Sequence, residues 1–224
     1  MKYYIGDMHF RHKNVLKLDG RPWNSMEEME SELIRRWNSV VKHRKDIVYC
    51  LGDFCWSGKY EDWKEITDQL NGQIRLILGN HESRRMSKHI KELFYSTDYY
   101  DESSENKLRV CVCHYPIPFY NGAFYSHSYD FYGHVHNTND QKTLQKYQMS
   151  IWNDMFEVER RGEKYIGNQA QFINVGCMMP WVDYTPKTFE ELTQTLHNQK
   201  ETFFMYRRNG HSFDELVNKM DLIY

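Results

Sequence analysis

The chain has 224 residues, 40% hydrophobic and 27% charged, which is enough for one α/β domain with a real core and short for two. This composition excludes a disordered polymer. No apolar run approaches the ~20 residues of a membrane span, and a formal net charge of −2 argues against a protein that coats nucleic acid, which is normally basic.

The mean hydropathy is −0.81. The first residues, Met1 to Asp7, turn acidic too soon for a signal peptide, so the expected location is the cytoplasm. Cys50, Cys55, Cys111, Cys113 and Cys177 are odd in number and form no C-x-x-C pair. They read as reduced packing residues.

In chain order, Lys2 to Ile5 is an apolar run that leads into Gly6-Asp7-Met8-His9. Ser25-Met26-Glu27-Glu28 has the pattern of a capping box, and Met29, Leu33, Trp37 and Val40 then share one helical face. Ile47 to Leu51 leads into Gly52-Asp53. Trp63, Ile66 and Leu70 mark a second helix that stops at Asn71-Gly72. Ile74 to Leu78 leads into Gly79-Asn80-His81, and Leu108 to Cys113 runs directly into His114. Tyr129 to Tyr132 leads into Gly133-His134-Val135-His136, and Phe172 to Val175 ends in Gly176.

These runs are short and rich in Val, Ile, Leu, Tyr and Phe, as buried strands are. Strands alternating with helices imply an at least partly parallel sheet, whose ligand site lies at the carboxyl ends of its strands. Residues 137–170 are polar and poorly periodic, and they read as an insertion or flap beside the site, within a single domain spanning 1–224. After Pro186, Thr188-x-x-Glu191 and Ser212-x-x-Glu215 predict two helix starts, with a strand over Thr202 to Tyr206 between them.

The candidate chemistry sits just past the strand ends. Asp7 and His9 are two apart in a segment expected to be extended, so both side chains face one way. His134 and His136 repeat this geometry with two imidazoles. Each pair alone is ordinary, and Gly52-Asp53 or Gly79-Asn80 alone is turn chemistry. The coincidence of all five, each placing a metal-ligating side chain after a strand, is what carries the reading.

Taken in order, Gly6-Asp7-x-His9, Gly52-Asp53, Gly79-Asn80-His81-Glu82, His114 and Gly133-His134-x-His136 resemble the calcineurin-like metallophosphoesterase superfamily, in particular its small bacterial and phage members. Ile173-Asn174-Val175-Gly176 is similar to the closing strand of that family. The resemblance implies a four-layer α/β/β/α sandwich of two mixed sheets, with a dinuclear metal site at the strand C-terminal ends.

It implies that Asp7, His9, Asp53 and His136 hold one ion and that Asp53, Asn80, His114 and His134 hold the other, with Asp53 as the bridge. His81 then faces the phosphate and its leaving oxygen. Two cations ~3.5–4 Å apart polarise phosphoryl oxygens and lower the pKa of a bound water towards ~7. The oxygen and imidazole donors, without thiolate, suit Mn²⁺ first, with Fe²⁺, Zn²⁺, Ni²⁺ or Co²⁺ as alternatives. Glu82 stands where many members have Asp, a position that supports His81 from behind. Arg11-His12 occupies a stretch where members commonly have Gly.

Substrate contacts are expected from His12 and Asn14, which follow the first ligand pair, and from Arg84 after the Asn-His turn. Phe124 and Tyr125 would stack on a base, or else pack over the domain edge. The expected activity is hydrolysis of phosphoester bonds in a small molecule or nucleotide, diesters ahead of monoesters. A nuclease or cyclic-nucleotide phosphodiesterase is the alternative within catalysis. A protein-binding scaffold of the same fold is the alternative outside it, and it is disfavoured because all eight key positions hold competent side chains.

Overall fold

The computed structural model describes residues 1–82 and 86–224, with Glu105 described by its backbone alone. β1 (Lys2–Ile5), β2 (Ile47–Leu51), β3 (Gln73–Ile77) and β4 (Ser96–Asp98) pair in parallel. A second sheet holds β5 (Tyr100–Glu105), β6 (Leu108–Cys113), β7 (Ser128–Tyr132) and β8 (Phe172–Asn174), parallel except for β5. A short β9 (Lys187–Thr188) closes the first sheet antiparallel to β1, so its order is β4-β3-β2-β1-β9. Both sheets are therefore mixed.

The period-two alternation of strand side chains separates the layers. Tyr4, Tyr49, Leu51 and Ile77 face the second sheet, and Tyr4 meets Phe131 edge-on with ring centroids 4.9 Å apart. Tyr3, Ile5, Val48, Cys50, Ile74 and Leu76 point the other way, into a separate core. There they meet Leu33 and Trp37 of α2 (Met26–Val40), Trp63 and Ile66 of α3 (Tyr60–Thr67), and Ile90 of α4 (Lys88–Lys91). The short α1 (Val15–Leu18) precedes these. Ser25 caps α2 as its sequence predicts, accepting from the Glu28 N–H. All five cysteines are buried and free.

Two expectations are corrected. Residues 137–170 are not a polar flap along their length, because a 22-residue helix, α5 (Asn139–Arg160), fills much of the segment. Its buried face includes Gln141, Gln145 and Gln148 beside Met149, Ile151 and Trp152. Glutamines at inward positions hid the helical period. They are bonded where they lie: Gln148 Nε2 donates to the carbonyls of Ala170 and Phe172 at 2.9 and 2.8 Å, securing edge strand β8.

The strand expected over Thr202 to Tyr206 lies inside α6 (Phe189–Arg208). Its Thr-Phe-Phe run has β propensity, but Leu192, Leu196 and Phe203 pack on one helical face. The starts of α6 and of α7 (Phe213–Asn218) are capped by Thr188, in a full capping box with Glu191, and by Ser212. Among the described residues no helix is long and apolar enough to cross a membrane.

Candidate metal centre

Five loops leave the carboxyl ends of strands and converge where the two sheets meet. β1 delivers Asp7 and His9, β2 Asp53, β3 Asn80 and His81, β6 His114, and β7 His134 and His136. Backbone bonds tie the sheets together at this point. The Gly6 N–H donates to Val175 O at 2.8 Å, and the Cys177 N–H donates to Gly6 O at 2.9 Å.

The loops are not the extended segments that the spacing predicted. Asp7, His9 and Arg11 have φ of 55°, 54° and 59°, Asp53 has 52°, and His134 and His136 have 71° and 47°. Left-handed backbone costs a non-glycine residue about 1–2 kcal/mol, and such strain concentrates at functional sites. The side chains at 7 and 9 still reach one cluster, through alternate left-handed residues and not through a pleat.

The glycines before the candidate ligands have a reason beyond turning. A Cβ on Gly79 would stand 2.6 Å from Asp53 Oδ1 and 2.9 Å from His114 Nε2, and one on Gly133 would stand 2.6 Å from Asp7 Oδ2. They leave room for the side chains of Asp53, His114 and Asp7.

The donor atoms form two groups that share Asp53: Asp7, His9, Asp53 and His136, and Asp53, His114 and His134. In the first, His9 Nε2 and His136 Nε2 are 3.2 Å apart and His136 Nε2 lies 3.7 Å from Asp7 Oδ1. In the second, His134 Nδ1 and Asn80 Oδ1 lie 3.2 and 3.0 Å from His114 Nε2. Asp53 Oδ1 accepts from the His81 N–H, which leaves Oδ2 3.7 Å from both His9 Nε2 and His114 Nε2. Ligand atoms bound at ~2.0–2.2 Å around one ion stand ~2.9–3.6 Å apart, so the spacing suits two ions with Asp53 between them.

The electrostatics point the same way. Burial, then the Asp7 and Glu82 carboxylates, push Asp53 up from 3.8 to about 8. Burial raises Asp7 to about 6. Burial lowers His114 to about 3 and holds His9 well below the usual imidazole range. Carboxylates that resist ionising beside imidazoles that resist protonation make a site short of positive charge, which divalent cations supply.

The supporting residues were mostly invisible in the sequence. Asp19 Oδ1 lies 2.6 Å from His136 Nδ1, and buried Arg21 joins Asp19 to the Asp7 and Met8 carbonyls. Asp19-Gly20-Arg21 reads only as a turn, and nothing local signals its role. Glu82, expected behind His81, accepts from the N–H groups of Asp53, Phe54 and Gly79 at 3.0, 2.7 and 2.8 Å. It thereby ties the β2 and β3 loops together. Arg11 holds a left-handed conformation that glycine would take freely, and it is secured by Glu30 and Glu65 at 2.7 and 2.8 Å. Two aromatic rings flank the cluster: Trp56, 4.3 Å from the His81 ring, and Tyr115, 4.7 Å from the His134 ring.

The expected substrate contacts fare unevenly. His12 is at the cluster, with its ring stacked on Trp56 at 4.0 Å and its Nδ1 3.4 Å from His9 Nδ1. Asn14 is exposed at the N-cap of α1. Arg84 lies outside the described residues. Phe124 and Tyr125 are not at the cluster. Their loop runs back to the start of β7, where the Arg109 N–H bonds His127 O and Arg109 pairs with Ser128. Five strand residues, roughly 17 Å, separate that end from His114.

A family model for calcineurin-like phosphoesterases matches residues 3–203. An uncharacterized protein of Methanocaldococcus jannaschii is 47% identical over 81 residues, which is 36% of this chain and 46% of that protein, so the match spans less than half of the relative's length. A solved structure of a protein of unknown function from Aquifex aeolicus is similar over 87% of this chain and 98% of that chain. Its TM-score is 0.59 and its identity 23%, a likeness of fold.

Proposed function

The chain belongs to the calcineurin-like phosphoesterase family, and from that premise we propose that it hydrolyses phosphoric esters with two divalent cations, Mn²⁺ first among them. The observation that carries this reading is the meeting of His114 Nε2 and Asn80 Oδ1 at 3.0 Å. His114 Nδ1 lies 2.8 Å from Leu51 O, so its proton is committed there and Nε2 presents a lone pair. Two acceptors face each other at contact distance, an arrangement that a cation between them makes favourable. Asn80 was expected as a ligand on sequence grounds, and this contact supports that role.

Bound cations would supply Lewis acidity towards the phosphoryl oxygens and a nucleophile at neutral pH. The protein's own part is to hold and orient. Asp53 Oδ2 lies between the two groups and would bridge them. His81 keeps its Nε2 3.5 Å from Asp53 Oδ2 with its side chain 25% exposed, open to substrate yet next to the reacting centre. From there it would stabilise or protonate the departing oxygen. Trp56 stands beside His81 and Tyr115 beside His134. Two separate aromatic rings beside the cluster offer apolar surface to organic substituents on phosphorus, which supports diesters, nucleotide-like ones included, over monoesters.

The test is metal analysis after Mn²⁺ loading, together with rates on p-nitrophenyl phosphate, its bis ester and cyclic nucleotides. We expect close to two ions per chain and a diesterase rate at least equal to the monoesterase rate. Saturation at one ion would sink the dinuclear centre, and a tenfold monoester preference would sink the diester reading.

A further inference from the structure

We infer that Asp19 and Arg21 form a buried brace that makes the Asp7–His9–His136 end of the cluster the tighter of the two cation positions. This inference rests on the metal reading above. The Asp19 side chain is 5% exposed and that of Arg21 is fully buried. Asp19 Oδ2 accepts from Arg21 Nε at 3.0 Å and lies 2.9 Å from Nη2. Arg21 Nη2 also donates to Asp7 O at 2.7 Å, and Nη1 donates to Met8 O at 2.8 Å. The planar fork of one guanidinium thus connects the carboxylate behind His136 to the backbone that carries Asp7 and leads into His9. Burying an arginine is costly unless its charge is paired and its donors are used. Here the donors go to the loop that holds the left-handed residues.

Three consequences follow. His136 Nδ1 shares a proton with Asp19 Oδ1 at 2.6 Å, which leaves Nε2 to point at His9 Nε2 and Asp7 Oδ1. A carboxylate behind a ligating imidazole fixes its tautomer and raises its basicity. The Asp7–Met8 carbonyls are pinned, which holds the left-handed backbone of the loop in place.

Among the described residues the other end has no carboxylate hydrogen-bonded to the imidazole of His114. His114 Nδ1 is backed by the neutral Leu51 carbonyl, and Asn80 offers a neutral oxygen. Asp7 is a carboxylate among the donors of the first end and Asp19 stands directly behind its His136 imidazole; at the other end the buried Glu82 carboxylate is spent on the N–H groups of Asp53, Phe54 and Gly79 and backs no imidazole.

The experiment titrates Mn²⁺ into metal-free protein and follows the free ion by electron paramagnetic resonance, giving two dissociation constants. Asp19→Asn keeps the shape and an acceptor oxygen but removes the charge, and it should weaken the tighter class about 10-fold; Asp19→Ala should weaken it about 100-fold. The weaker class should move by no more than about twofold, and Asn80→Ala should show the reverse pattern. Independently, nitrogen-15 NMR of metal-free protein at alkaline pH should show His136 protonated on Nδ1 in the wild type and in Asp19→Asn. If Asp19→Ala does not fold, Asp19→Asn and the tautomer measurement still decide.

An unchanged tighter constant, equal weakening of both classes, or an Nε2-protonated His136 would overturn the brace. A wild type that takes up no Mn²⁺ would instead overturn the metal reading, and with it the difference between the two positions.

Discussion

The two ends of the second sheet carry the same kinds of side chain in opposite circumstances. At the carboxyl ends of β6 and β7, His114 and His134 are brought within 3.2 Å of each other, and His114 is fully buried with its second nitrogen committed to a carbonyl. At the other end, Phe124 packs at a tilt against Tyr125, which stacks on His127, and the first two are exposed. They line a cavity of about 520 Å³ with Lys164 and Ile166. Histidines and aromatics alone do not distinguish the ends. Confinement does, because only the first end fixes which atoms face which, through glycine clearance, left-handed backbone and backing bonds.

The largest expected effect comes from the atom shared by both groups. Asp53→Asn should leave less than one ion per chain after Mn²⁺ loading, a loss beyond the 10–100-fold of a change behind the ligands. Hydrolysis should fall with it. Retention of two ions would show that the two groups do not share Asp53.

His81→Ala separates chemistry from metal binding. Both ions should stay, as metal analysis would show, while turnover falls by about 10²–10⁴-fold. The loss should shrink for p-nitrophenyl esters, whose leaving oxygen needs little help. Loss of metal, or an equal loss across leaving groups, would move His81 out of that role.

The contrast also explains what could be read from the sequence. The strands that lead into the site and the five turns with candidate ligands were legible because each donor follows an apolar run by one to four residues, whereas the division into two mixed sheets came from the family resemblance. Asp19 was not legible, because it meets His136 across 117 residues of chain. Trp56 and Tyr115 were missed because nothing local marks a ring that serves a site assembled from five loops. Helix α5 was obscured by inward glutamines whose partners are backbone carbonyls of another segment. Phe124 and Tyr125 were misplaced because a sequence gives the composition of a return loop but not how far back it runs.

A subtler test uses pH. In metal-free protein Asp53 rises from 3.8 to about 8 and Asp7 to about 6, so the folded chain holds protons that the unfolded chain has lost. That contribution to stability is complete below the unfolded values and disappears as pH rises through the folded ones. His9 and His114 act in the opposite sense, costing stability as pH falls below about 6.5. Between pH 6.5 and 8 the carboxylates dominate, so the metal-free protein should lose stability with rising pH in thermal melts. Saturating Mn²⁺ should remove or invert that slope, because binding takes the ionised carboxylates and releases their protons. A metal-free protein that gained stability over this range would contradict the charge-starved cluster.

The smallest effect is expected at the far end, and it is the sharpest check on the comparison. Stacking on a base is worth ~1–3 kcal/mol and is uniform binding, so a ring that held substrate would raise KM with little change in kcat when removed. Phe124 and Tyr125 lie roughly 17 Å of strand away from His114, on the far side of Tyr115 in the same loop. Phe124→Ala and Tyr125→Ala should therefore leave KM for bis-p-nitrophenyl phosphate and cyclic nucleotides unchanged, whereas Tyr115→Ala should raise it. Steady-state kinetics on the three variants would decide. A raised KM for Phe124→Ala or Tyr125→Ala alone would mean that the substrate spans the sheet from end to end, and the two ends would then belong to one binding surface.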